Sequence, residues 1–336
     1  MTNETGISAP ARPADPEPTG ASAAPVTGTE DGARPAAAIG AVWLAALALL
    51  WLAVMLRSVQ ASLESPGDGV FGITAAAIGL PAVISAALVG GAGVGLAVRR
   101  FFGRHLHDHP TARFAIAVGA GLVSGVGSAT AVVLGHGNGG SAIMVLGGTI
   151  AAGATIGGAL AGIRASAVVG AGVAASLGVF LLTFVRELFK SDLLTLFGAG
   201  DNAVSLLNAQ HWLALAGSVL GGLVAGVIAF AYLRRAVRHL EAPPRWPVYL
   251  LAGAGTGVML LLTEVITRVG GAQVLALARS VSEDDSAFQD MADSARINAG
   301  LVVLFVGAIT AMIAFGRTLR PAHEPTDEPT EPAPAH

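Results

Sequence analysis

"PVYLLAGAGTGVMLLLTEVIT", residues 247–267, sets one charged residue, Glu264, in a run otherwise built from apolar residues, glycine and threonine. About 20 helical residues at 1.5 Å rise cross the roughly 30 Å hydrocarbon core of a bilayer. The stretch therefore reads as a membrane span that carries a carboxylate. The rest of the chain repeats the pattern. Of 336 residues 53% are hydrophobic and 12% charged, about half the charge of a soluble domain. Mean hydropathy is +0.68.

Eight spans are expected, at Ala36–Leu56, Val70–Val98, Phe114–Gly135, Ser141–Ile163, Ala165–Val185, His211–Leu233, Pro247–Thr267 and Ala299–Gly316. The fold class is thus an all-α, polytopic membrane helix bundle. Pro81 falls inside the second span, where a kink or tilt is expected. The domain plan is a tail over 1–35, a transmembrane domain over 36–320 and a second tail over 321–336. Both tails are rich in Pro, Ala, Thr and acidic residues. They bury too little apolar surface to offset chain entropy and are expected to be disordered.

Basic residues orient the bundle. "RRFFGRHLHDHPTAR" (Arg99–Arg113) and "RRAVRHLEAPPR" (Arg234–Arg245) hold four arginines each and both follow even-numbered spans. With these loops in the cytoplasm, thirteen basic residues lie inside and six outside, as the positive-inside rule prefers. The expected location is the cytoplasmic membrane, with both termini cytoplasmic.

Glycine makes up 45 residues and cysteine none. The absence of cysteine excludes disulfides, thiolate metal sites and cysteine nucleophiles. Small residues recur four apart on most spans. Gly153 pairs with Gly157, Gly217 with Gly221 and Gly253 with Gly257; Gly91/Gly95, Gly121/Gly125, Gly158/Gly162 and Gly222/Gly226 follow the same spacing. Each pair makes a flat strip for close helix approach. Strips not used internally are left for a second copy or a membrane-complex partner.

Glu264 lies about 26 Å along its span at helical rise, close to the outer boundary. Arg268 follows at i+4, a favourable order for a helical ion pair. Arg186 and Glu187 end the fifth span in the same way. These four residues are expected to anchor two helix ends, with a cross-pair between Glu264 and Arg186. A proton or cation site at Glu264 is the alternative.

"HLHDHP" offers a weak metal pair, His105 and His109 with Asp108 between, but no further ligand is in sight. The segment reads first as a basic loop beside anionic head groups. "SEDDSAFQDMADSAR" (Ser282–Arg296) reads as a helix leading into the last span, with Ser282 as its cap and acids in its first turn. No nucleophile elbow, zinc-protease or phosphate-loop motif occurs, so neither catalysis nor a cofactor is expected. The net charge of −3 gives no reason to expect a nucleic-acid partner; the expected surroundings are the lipid bilayer. The leading functional reading is transport or permeation of a small solute or ion. The alternative is a non-enzymatic scaffold or accessory subunit of a membrane complex.

Overall fold

A computed structural model describes residues 33–63, 69–102, 109–135, 141–163, 165–200, 202–238, 245–272, 276 and 283–318. Most of both expected tails, and Ser282, lie outside the described residues. The helices are α1 (Ala33–Leu63), α2 (Gly69–Phe102), α3 (Pro110–Gly135), α4 (Ser141–Gly162), α5 (Ser166–Leu188), α6 (Lys190–Leu196), α7 (Ala203–Ala236), α8 (Trp246–Gly270) and α9 (Glu283–Gly316). All except α6 contain a stretch long and apolar enough to cross a membrane. Their backbone groups bond within each helix, the requirement for a segment surrounded by lipid. The protein is an all-α, multi-pass integral membrane bundle.

Close approaches show that successive spans alternate in direction. Gly158 of α4 meets Ala117 and Gly121 of α3, while Gly125 meets Ala151, an antiparallel register. On α2, Gly91 meets Ala154 and Gly95 meets Gly158 and Ala161, a parallel one. Arg99, Arg100, Arg234 and Arg235 therefore share one end of the bundle, called the arginine end below. There Arg99 donates to the carbonyls of Ala161 (2.8 Å) and Ile163 (2.5 Å). Those are acceptors at the C-terminal end of α4 that no intrahelical donor reaches. Glu264 lies toward the opposite, distal end.

The eight spans form two groups of four. In the first, α2 packs against α1, α3 and α4; in the second, α9 lies along α7 and α8, and α5 against α7 and α8. Glycine permits the closest of these crossings. A methyl group at Gly157 would run into the Leu88 carbonyl, and one at Gly253 into that of Gly307. Gly307 in turn lies between α8 and α7, facing the carbonyls of Gly253 and Gly222.

On α7 the two expected glycine pairs pack with different closeness. Gly222 and Gly226 face Val306, Gly307 and Thr310 of α9, each with less than van der Waals room for a side chain. At Gly221 an added methyl would sit at ordinary contact distance, 3.6 Å from Val303 and 3.7 Å from Val179. Gly217 faces the Arg186 side chain. One residue step turns a helix by about 100°, so adjacent strips with the same spacing face different neighbours.

Between the halves runs a seam. At its distal end Gly270 abuts Thr149 of α4 and Gly271 abuts Leu80 of α2. Trp51 of α1 stacks on Phe180 of α5, ring centroids 5.3 Å apart. Among the helices that run past the expected spans at this end, α7 and α9 go furthest. With 34 residues each, α7 and α9 reach about 51 Å at helical rise, well past a hydrocarbon core. The expected lead-in helix thus continues into the last span without a break. The segment after α5 holds an unexpected short helix, α6. It stops at Gly198, whose φ of 86° lies in the left-handed region that glycine enters at no steric cost. Asn202 then caps α7 by accepting from Ser205 N at 2.7 Å.

Candidate functional site

Helical spacing builds the ionic cluster at the distal end. Arg268 lies one turn beyond Glu264 on α8 and donates Nε to Oε1 at 2.9 Å. The other oxygen is held from α9, where Arg296 donates Nε to Oε2 at 3.1 Å. Arg296 also pairs with Asp293, three residues earlier on its own helix. Glu264 is 5% exposed and Asp293 6%, whereas the two arginine side chains are 46% and 32% exposed. The carboxylates are thus buried, and their cations reach outward. Withdrawing a carboxylate from water is costly unless it is paired and hydrogen-bonded, and both conditions are met here.

A second cluster lies on α5 and the start of α6. Glu187 accepts from Arg186 Nη2 at 3.2 Å and from Lys190 Nζ at 3.1 Å. The expected cross-pair between Glu264 and Arg186 does not form. Arg186 turns to its neighbour Glu187, and α9 supplies the second partner of Glu264. The missing signal was helical phase. Asp293, Arg296, Gly300 and Val303 recur three or four apart on one continuous face of α9, across the boundary where hydropathy marks the start of the span.

The two clusters share a cavity of about 440 Å³. It lies at the seam, with α1 and α2 contributing Trp51, Met55, Pro81, Ala82 and Ser85, and α5, α7, α8 and α9 the remainder. Phe180, Phe184, Leu260 and Val303 make the wall apolar, while Arg186, Glu187, Glu264 and Arg296 charge it. Sequence reading named Arg296 only as the end of the lead-in helix, not as a partner of Glu264, and did not single out Ser85. Nor did it single out Thr263, which lines the cavity beside Glu264.

Hydroxyls along α8 are satisfied locally. Thr263 donates to the Met259 carbonyl (2.9 Å) and Thr267 to that of Thr263 (2.8 Å). Deeper in the second half, Ser176 of α5 approaches Thr256 Oγ1 (3.5 Å) and Met259 Sδ (3.4 Å). Threonine and serine can sit inside these spans because the hydroxyl bonds back to its own helix or to a neighbour.

Of the weak metal pair, His109 is exposed just before α3; His105 and Asp108 lie outside the described residues. Among the described residues no three histidine or acidic side chains converge as metal ligands. No family model matches the chain, and no curated protein or solved structure matches it.

Proposed function

We propose that the protein binds a small solute or ion in the seam cavity and passes it across the membrane between the two four-helix halves. The carrying observation is the cavity itself, about 440 Å³, charged on one side and set where the halves meet. Small-molecule sites favour such junctions, and their pockets are mostly apolar with a few placed polar groups. Rocking of one bundle against another around a central site is a common route to alternating access. In this reading Glu264 anchors α8 to α9 and shapes the cavity wall. The membrane is the cytoplasmic one and the arginine end faces the cytoplasm, as the arginine bias favours.

The test is flux into liposomes holding the full chain, with protons, sodium, potassium and acetate as probes. At least one should cross faster than in empty liposomes. Ala82 is exposed on the cavity wall, so Ala82→Trp should obstruct the path and suppress that flux without lowering the melting temperature. Background flux for all four probes through folded protein would contradict the proposal.

A scaffold or accessory-subunit reading rests on a different observation. A groove of about 620 Å³ runs between α1 and α3, floored by α2. There Gly119 and Gly127 face nothing within 4 Å, whereas Gly121 and Gly125 on the same helix meet α4. Strips of this kind accept a partner helix. Cross-linking from Gly127→Cys to a second copy or a co-purifying membrane protein would support this reading.

A further inference from the structure

Beneath α6 lies another cavity, of about 400 Å³, between the distal ends of α5 and α7. Leu182, Val185, Phe189, Leu193 and Leu213 are among its apolar walls, and among the described residues its one charged lining residue is Arg186. Arg186 also lines the seam cavity, so its side chain stands between the two spaces. The guanidinium is only half engaged. Nη2 donates to Glu187, and that carboxylate is shared with Lys190. Two cations thus meet one anion; Asp192 on α6 forms no ion pair among the described residues. Nη1 makes no hydrogen bond among the described residues. It lies over Gly217, where an added methyl would stand 2.6 Å from it, and Gly217 belongs to the wall of the apolar cavity. Nη1, which has no hydrogen-bond partner among the described residues, therefore lies at the wall of the cavity beneath α6, on a side chain that is 31% exposed.

An apolar groove with a partly paired cation at one end selects its occupant from two sides. A plain hydrocarbon would bury Nη1 without an acceptor, at the cost of an unmade charged hydrogen bond. A small hydrophilic anion would leave the leucine and phenylalanine walls uncovered. At about 400 Å³ the space sits low in the range of small-molecule pockets, about 300–1,000 Å³, which suits one aliphatic chain. We infer that the pocket beneath α6 binds a single-chain amphiphile with a carboxylate head, the chain lying against the leucines and the head on Arg186. This site does not depend on the seam cavity conducting a solute, because binding is read without flux.

The test uses native mass spectrometry of the full chain released from a non-ionic detergent, titrated with palmitate or with hexadecanol, which has the same chain and no charge. Palmitate should saturate at one molecule per chain. Loss of a charge-assisted hydrogen bond predicts about ten-fold weaker binding of hexadecanol, and of palmitate to Arg186→Gln. Gly217→Ala is the second variant. It displaces only the flexible end of Arg186, so the bundle should keep its melting temperature while palmitate binding weakens. Equal binding of the two probes, palmitate binding unchanged in both variants, or no saturable binding by folded wild type would each overturn the inference.

Discussion

Two arginines hold Glu264 in a position where lipid or bare helix would otherwise surround a charge. Arg268 comes from the same helix and Arg296 from the next, so the carboxylate fastens α8 to α9. Because Glu264 itself is buried, its removal should exceed the near-zero cost of a surface pair. Because its partners are partly exposed, that cost should stay below the loss expected for a fully buried pair. Glu264→Gln is expected to destabilise by about 1–3 kcal/mol. Arg268→Gln, which leaves the Arg296 bond in place, should cost about 0–1 kcal/mol. Unfolding titrations in mixed micelles would measure both, and equal losses would contradict this ranking. The pair with Arg268 was legible from the i+4 spacing alone. Arg296 was not, because its place depends on the expected lead-in helix joining the last span without a break, which sets its phase against α8. From composition, Arg186 and Arg296 were equally eligible partners.

At the level of the helix, glycine decides which surfaces meet. Gly157 and Gly253 lie against the carbonyls of a neighbouring helix, so any side chain there must push two backbones apart. Gly157→Leu and Gly253→Leu should each cost about 3 kcal/mol or more, at or above the usual range for overpacking. Gly119→Leu and Gly127→Leu, with nothing within 4 Å, should change the melting temperature in detergent little. Gly221→Ala should also be tolerated, since its nearest neighbours stand 3.6 and 3.7 Å away. A severe loss in Gly221→Ala beside a mild one in Gly157→Leu would mean that the strips are wrongly placed. The four-residue spacing was readable in the chain, and it marks surfaces able to pack. It could not distinguish Gly217/Gly221 from Gly222/Gly226, because both have the same spacing on one helix and only the position of α9 separates them. The short helix α6 escaped notice because seven residues fall below the length at which apolar periodicity stands out from composition.

For the whole molecule, the long apolar runs were sufficient to fix the number of spans and their alternation. Whether the four-helix halves part at the seam depends on contacts between residues far apart in the chain, such as Thr149 with Gly270. Orientation can be tested on its own, since the chain has no cysteine. Thr195→Cys on the exposed face of α6 should react with an impermeant thiol reagent in intact cells. Thr318→Cys, at the arginine end, should react only after permeabilisation. The reverse pattern would invert the proposed orientation. The seam itself is open to a sharper test. A β-carbon at Gly270 would lie 3.4 Å from that of Thr149, close to the roughly 3.5–4.5 Å spanned by a disulfide. The measurement is solute flux through liposomes carrying the Thr149→Cys/Gly270→Cys variant, oxidised and then reduced. If the halves part at the distal end to admit solute, oxidation should abolish flux and reduction should restore it. Undiminished flux through fully cross-linked protein would contradict passage through an opening seam.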